Sequence, residues 1–131
     1  MNIHAIRLRG PWEAQSAVTG SGSIRIQFPC RWKELASAGL SDHLLLRRKF
    51  HSPTNLSPRD QVWLCLGEGD AELEVHLNGK KIARLSGQGA WEITEELLPT
   101  NTLELVVHSV TNAETMAGEA KLEIRSPAPV G

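Results

Sequence analysis

The residue types that most often carry out chemistry are scattered along this chain without a recognisable local pattern. The five histidines are scattered along the chain: His4, His43, His51, His76 and His108. No His-x-His, His-x-x-x-His or Cys-x-x-Cys unit offers a local pair of metal ligands. No serine lies within a Gly-x-Ser-x-Gly turn, which would indicate a nucleophile. We therefore expect neither a bound metal nor any other cofactor.

Acidic residues could in principle form the carboxylate pair of a glycoside hydrolase. Glu72 and Glu74 share one face of a predicted strand, and Glu92 lies on a later one. The alternation with Leu73 and Val75 places Glu72 and Glu74 outward, so we interpret them as part of a solvated face. The sequence predicts a protein that is not an enzyme; a catalytic role is the weaker alternative.

Four tryptophans stand in a chain that has no tyrosine and two phenylalanines. Aromatic faces can stack on sugar rings, and the alternative is that they pack in the core or at its rim. Trp63 lies in the most apolar segment, where we expect it in the core, and Trp12 and Trp32 at element junctions favour packing. Trp91 follows the Gly-rich loop 87–89, and we predict it as a ligand contact, with packing as its alternative.

Composition narrows the class of protein. The chain has 131 residues, 40% hydrophobic and 22% charged, and a net charge of −1. We expect one domain over residues 1–131, with no nucleic-acid partner because the basic clusters Arg47–Lys49 and Lys80-Lys81 are short. No stretch approaches the roughly 18 apolar residues of a membrane span, and the first residues show no signal-peptide pattern. We expect a cytoplasmic protein with Cys30 and Cys65 reduced.

The elements that must position these residues are short strands. Residues 61–85 contain an apolar strand, an alternating strand, an Asn78-Gly79 turn and a return strand, and Asn-Gly is typical of a type I′ hairpin. Residues 31–38 predict a two-turn helix. About eight strands with this one helical insertion indicate an all-β antiparallel β-sandwich. Arg48 falls on the inward face of the strand 43–51, so we predict a buried pair with Asp70 or Glu74.

Ordered motifs connect this pattern to a known family. They are Leu8-Arg9-Gly10-Pro11-Trp12, Phe28-Pro29-Cys30-Arg31-Trp32, Leu46-Arg47-Arg48-Lys49-Phe50, Leu73-Glu74-Val75-His76-Leu77-Asn78-Gly79, and Trp91-Glu92-Ile93-Thr94-Glu95-Glu96-Leu97-Leu98 with Asn101-Thr102-Leu103. In order and spacing they resemble the N-terminal sugar-binding domain of family 2 glycoside hydrolases, the β-galactosidase and β-glucuronidase family. One difference is Leu46, which stands where the family has tyrosine.

The resemblance implies a galactose-binding-like jelly roll, and in that family the catalytic glutamates belong to a separate barrel domain. In the β-galactosidases the loop after the Asn-x-Leu strand can offer a carboxylate to the sugar. The corresponding positions here are Asn112, which is not an acid, and Glu114. We therefore predict ligand binding by Trp91, Asn112 and Glu114.

Together these observations predict a stand-alone, non-catalytic module that binds carbohydrate or assists a partner glycosidase. The alternative is a protein-interaction or structural β-sandwich without a sugar ligand, which would self-associate or dock on another protein. Under either alternative we expect no nucleic-acid partner and no membrane partner.

Overall fold

Alternation of apolar and polar residues produces strands along most of the chain. The computed structural model describes residues 2–16, 23–27, 30–37, 43–67, 71–110 and 119–127. Its strands are β1 (Asn2–Arg7), β2 (Trp12–Ser16), β3 (Ile24–Ile26), β4 (Leu44–His51), β5 (Gln61–Leu66), β6 (Ala71–Leu77), β7 (Lys80–Ser86), β8 (Gly89–Glu92), β9 (Thr100–Val110) and β10 (Ala120–Ser126). One short helix, α1 (Trp32–Ser37), and a 3₁₀ turn (Thr94–Glu96) complete the described elements.

The strands form two antiparallel sheets. The four-stranded sheet has the order β1-β10-β5-β8, and the six-stranded sheet has the order β3-β2-β4-β9-β6-β7. The fold is the predicted all-β sandwich, an antiparallel jelly roll with one short helical insertion. The prediction of the fold class is confirmed.

The core lies between the two sheets and follows the period of two expected of strands. Each central strand contributes alternate residues that are at most 9% exposed: Leu44, Leu46, Val62, Leu64, Leu66, Leu73, Val75, Leu77, Leu103, Leu105 and Val107. Trp12 of β2 and Leu35 of α1 are also buried in this core. The indole Nε1 of Trp12 donates to the Leu8 carbonyl at 2.7 Å. The packing predicted for Trp12 and Trp32 is confirmed, since Trp32 is 5% exposed.

The Asn-Gly turn forms as predicted, but the segment that contains it spans both sheets. Asn78 has a φ of 53° and Gly79 a φ of 83°, and both are the positive values that a type I′ turn requires. β6 and β7 pair in the six-stranded sheet, whereas β5, which precedes them, lies in the other sheet between β10 and β8. The connection between β5 and β6 therefore crosses from one sheet to the other.

Trp63 is not in the core, and that prediction was wrong. It pairs in register with Glu123 and Glu92, so it faces outward from the four-stranded sheet and is half-buried. Cys65 lies on the same outer face as Trp63 and is 9% exposed. The middle of β5 therefore carries apolar side chains on both of its faces. The outer face of this sheet is therefore partly apolar.

The predicted pair between Arg48 and Glu74 does not form. Arg48 shares the inward register of Leu46 and Phe50, whereas Glu74 faces outward from the same sheet, two strands away. Glu74 instead meets His108 and Lys81 on that outer face. Asp70, the other suggested partner, lies outside the described residues.

Candidate functional site

Hydrogen-bonded amides hold one end of the sandwich together. Asn101 at the start of β9 is fully buried, and its Oδ1 accepts from Asn78 Nδ2 at 3.0 Å and from the Leu98 amide at 2.9 Å. Its Nδ2 donates to Ser52 Oγ at 3.0 Å and to the Leu98 carbonyl at 2.9 Å. Every polar atom of this amide is therefore engaged within the protein, and the residue is part of the framework.

Asn78 extends the same network into the hairpin turn. Its Oδ1 accepts from the Thr102 amide at 2.9 Å, and its Nδ2 also donates to the Glu96 carbonyl at 3.1 Å. The turn is thereby fixed to the 3₁₀ turn and to β9. This end of the molecule, named here the amide end, has its side-chain amides committed to structure.

The opposite end collects the connections between the sheets. β5 ends and β8 and β10 begin there, with Leu66 opposite both Gly89 and Ala120. β6 begins and β9 ends there as well, with Ala71 opposite Val110. The chain segments 67–71, 86–89 and 110–119 therefore all join the sandwich at this end, named here the loop end.

A groove of about 510 Å³ runs from the loop end along the outer face of the four-stranded sheet. Its lining consists of Cys65, Leu66, Gly67, Gln88, Gly89, Ala90, Lys121, Glu123 and Arg125. Cys65 lies opposite Lys121 on one side and Ala90 on the other. The small side chains of Cys65 and Ala90 form its floor between longer neighbours. We call this feature the loop-end groove.

Three charged side chains of β10 form one wall of the loop-end groove. Glu123 accepts from Arg125 Nε and Nη2 at 3.1 and 2.8 Å, and Lys121 Nζ lies 3.3 Å from its other oxygen. The Arg125 guanidinium also lies 4.1 Å from the centroid of the Trp63 ring, a cation–π distance. The wall is therefore ordered before any ligand arrives.

These contacts set the protonation of the groove. The hydrogen bond from Arg125, aided by Lys121, holds the pKa of Glu123 below its ordinary value. Burial, reinforced by the nearby Glu123 charge, raises the pKa of the Cys65 thiol. Near neutral pH the groove thus presents an ionised carboxylate, two cations and a neutral thiol, a set suited to hydrogen bonding.

The predicted ligand residue Trp91 lies beside the groove but faces the core. It pairs in register with the buried Leu64, and its half-buried ring packs on the core cluster. The ring covers Gly89 so closely that a Cβ built there would lie 2.6 Å from Trp91 Cη2 and Cζ2. Ligand binding by Trp91 stays a prediction, and its packing role is present in the structure.

Asn112 and Glu114, the other predicted ligand residues, lie outside the described residues. The adjoining residues Val110 and Glu119 are both at the loop end, and the Gly67 amide donates to the Glu119 carbonyl at 2.7 Å. The described residues that flank this stretch, Val110 and Glu119, therefore both lie at the loop end.

Sequence reasoning missed the wall of the groove. Lys121, Glu123 and Arg125 alternate with Leu122 and Ile124, which indicates an outward polar row. That pattern is common to any solvated strand, so it does not single out a binding surface. What distinguishes this row is that it lies beside the apolar outer face of β5. Recognising that neighbour requires knowing that β5 and β10 pair, although paired residues such as Trp63 and Glu123 are 60 residues apart in the chain.

The described side chains do not form a catalytic pair in the groove. Glu123 is the one carboxylate among the described residues that line it, and hydrolysis of glycosides needs two. Within the same described ranges, no group of three or more histidine, cysteine or acidic side chains could hold a metal ion. Nor is any described helix long and apolar enough to cross a membrane.

Comparison with known proteins places the fold among parts of glycosidases. No protein-family model matches the sequence, and no curated protein matches it. A rhamnosidase from Novosphingobium sp. PP1Y has a similar structure, with a TM-score of 0.75 and 17% identity over 95% of this chain and 15% of that one.

Two enzymes of Dictyoglomus thermophilum are similar as well. The β-D-glucuronidase has a TM-score of 0.75 and 13% identity over 95% of this chain and 28% of its own. The β-D-mannosidase has a TM-score of 0.68 and 20% identity over 81% of this chain and 16% of its own. This chain thus spans less than a third of each, and the likeness shows that it shares the fold of one part of these enzymes.

Proposed function

We propose that this chain is a non-catalytic module that binds carbohydrate in the loop-end groove. The observation that carries the proposal is the ordered wall of Lys121, Glu123 and Arg125 facing a floor of small residues. Sugar hydroxyls both donate and accept hydrogen bonds, and this wall offers fixed donors and a fixed acceptor without needing to reorganise.

Two further observations support the proposal. The groove volume of about 510 Å³ falls within the range of small-molecule sites. The three solved structures compared above are a rhamnosidase, a β-D-glucuronidase and a β-D-mannosidase, and this chain corresponds to 15–28% of their length. One carboxylate, held ionised by Arg125, is suited to accept a hydroxyl and unsuited to act as a general acid.

A titration followed by amide chemical shifts tests the proposal. Rhamnose, mannose, galactose and glucose would be added separately to the full chain, up to concentrations where millimolar dissociation constants saturate. We expect saturable shifts of the amides of Gln88, Ala90 and Glu123 with at least one of these sugars. Absence of such shifts with all four sugars would reject carbohydrate binding in the groove.

A matched pair of variants makes the test specific. Gln88→Ala removes an exposed amide from the groove rim, and Gln61→Ala removes one from the far end of β5. We expect Gln88→Ala to weaken sugar binding about three- to tenfold, because one neutral hydrogen bond contributes about 1 kcal/mol. Gln61→Ala should leave the affinity unchanged. Equal effects of the two would place the ligand elsewhere.

The second candidate function is a protein-interaction or structural module that docks on a partner glycosidase or on itself. The outer face of the four-stranded sheet favours it, because Ile3 there is 56% exposed and Trp63 lies two strands away. Light scattering and binding to glycosidases would test it, with a stable interface expected to bury more than about 1,000 Å². A monomer that binds no glycosidase would reject it.

A further inference from the structure

A hollow lies where β4 extends beyond the start of β2. β2 pairs with residues 44–47 of β4, whereas β9 pairs with residues 44–51. The uncovered side of β4 opens into a cavity of about 290 Å³ lined by Pro11, Glu13, Arg25, Arg47, Arg48 and Lys49. We call this cavity the basic notch. It belongs to the six-stranded sheet, so it is separate from the loop-end groove.

Positive charge exceeds negative charge in the basic notch. Glu13, its one acidic lining residue, lies between Arg25 and Arg47 in the strand register. Arg47 is bound to Glu104 through Nε and Nη2, at 3.1 and 2.9 Å. Within the described part of the chain, neither Arg25 nor Lys49 forms an ion pair. The local excess stands out in a chain of net charge −1.

Arg48 gives the basic notch an incompletely satisfied guanidinium. Its Nη1 donates to the Lys49 carbonyl, and its Nε is buried with no hydrogen-bond partner among the described residues. Burial without a carboxylate partner lowers the pKa of Arg48 from its ordinary value. A buried donor without an acceptor is costly, and a guanidinium is best satisfied by oxygens that carry negative charge.

We propose that the basic notch binds a compact oxyanion, namely the carboxylate, sulfate or phosphate group of a small molecule. The planar donor fork of arginine matches such groups, and three arginines line the notch. Its volume lies at the lower end of ligand sites, which favours a ligand of about monosaccharide size.

Titration with oxyanions tests the proposal on the full chain. Sodium phosphate, sodium sulfate and sodium glucuronate would each be added at constant ionic strength, with glucose as the uncharged control. We expect saturable amide shifts at Glu13, Arg25 and Arg48 with at least one oxyanion and none there with glucose. The three salts also distinguish a planar carboxylate from a tetrahedral group. Shifts at Lys121 and Arg125 alone, or no saturable shift, would overturn the proposal.

Charge-removing variants separate a built site from general attraction. Arg48→Gln and the exposed Arg25→Gln should each weaken oxyanion binding at least about tenfold, because a charged hydrogen bond is lost. Arg25→Gln also serves as the test if Arg48→Gln alters the fold. Arg84→Gln removes the same charge from β7 and should change affinity less than about twofold. An equal loss with Arg84→Gln would reject the notch.

The outcome does not depend on sugar binding elsewhere. The basic notch and the loop-end groove lie on different sheets and share no lining residue. Arg25→Gln should therefore leave any titration with neutral sugars unchanged, and Gln88→Ala should leave the oxyanion titration unchanged. The two proposals can fail separately.

Discussion

Asn78 donates from Nδ2 to Oδ1 of Asn101 at 3.0 Å, and this contact joins the hairpin turn to a fully buried amide. The two asparagines are 23 residues apart, and each belongs to a sequence motif that carries the resemblance to family 2 glycosidases. Their side chains form hydrogen bonds with the 3₁₀ turn, Ser52 and β9. The asparagines of these motifs therefore have a structural role at the amide end.

Replacing Asn101 by alanine should lower the free energy of unfolding by about 2–4 kcal/mol. The change leaves the Leu98 amide without its acceptor and removes one hydrogen bond each from Asn78 Nδ2, Ser52 Oγ and the Leu98 carbonyl, and a buried unsatisfied group costs about 1–3 kcal/mol. Urea denaturation followed by tryptophan fluorescence would measure the loss. Ser109→Ala, exposed on the same strand, should change stability by less than about 0.5 kcal/mol. Similar losses for both variants would contradict a special role for Asn101.

Acid should remove a stabilising contribution from Glu74. Its carboxylate faces His108 and Lys81, with His76 at 3.6 Å, and the His108 and Lys81 contacts hold its pKa at about 2 instead of 4.5. A depressed folded-state pKa contributes stability that is complete above the unfolded value. It is lost as pH falls from about 4.5 toward about 2.

The variant Glu74→Gln isolates this contribution. In urea denaturation at a series of pH values, the wild-type midpoint should fall more steeply than that of Glu74→Gln between about pH 4.5 and 2. Glu92→Gln, which removes an exposed carboxylate from the other sheet, serves as the control and should keep the wild-type slope. Parallel curves for wild type and Glu74→Gln would show that Glu74 does not contribute.

The strands and their inner faces could be predicted because local alternation determines them. Leu44, Leu46 and Phe50 are buried as the period of two requires. The partners across strands could not be predicted, since they depend on which strands become neighbours. Arg48 and Glu74 illustrate this limit: both belong to the six-stranded sheet, yet their registers place them on opposite faces.

The candidate site was predicted only in its general position. Trp91 does lie near the loop end, but the loop-end groove is built by Cys65, Ala90 and the β10 row, which local patterns do not single out. Trp63 was assigned to the core because residues 62–66 are apolar at every position. The Trp63 ring instead lies on the outer face and is covered by Arg125, which is 62 residues further along the chain. The residues around Trp63 in the sequence do not indicate this contact.

Removing the guanidinium above Trp63 should expose the indole. In Arg125→Gln the cation at 4.1 Å and its two bonds to Glu123 are lost. We expect stronger quenching of tryptophan fluorescence by acrylamide, and a loss of stability of about 0.5–1.5 kcal/mol for a partly exposed contact. Arg7→Gln breaks an exposed pair with Glu119 on the edge strand and should leave quenching unchanged. Unchanged quenching in Arg125→Gln would contradict the cation–π contact.

Trp91 can be tested for packing separately from binding, because Gly89 lies directly beneath its ring. Gly89→Ala would place a Cβ 2.6 Å from two ring atoms, so the indole must move while its chemistry is retained. We expect a loss of about 1–3 kcal/mol from the overpacking, measured by urea denaturation. Ala90→Ser, at the neighbouring exposed position, should change stability by less than about 0.5 kcal/mol.

The variant Trp91→Ala decides whether the ring also contacts ligand. Truncating the half-buried indole should cost about 2–4 kcal/mol, because part of a large apolar surface leaves the core. If Trp91 only packs, folded samples of Trp91→Ala keep the sugar affinity of the wild type under conditions where the variant remains native. If Trp91 also contacts ligand, Trp91→Ala abolishes binding although the protein stays folded. Because the ring faces Leu64 and the core, we expect the first result.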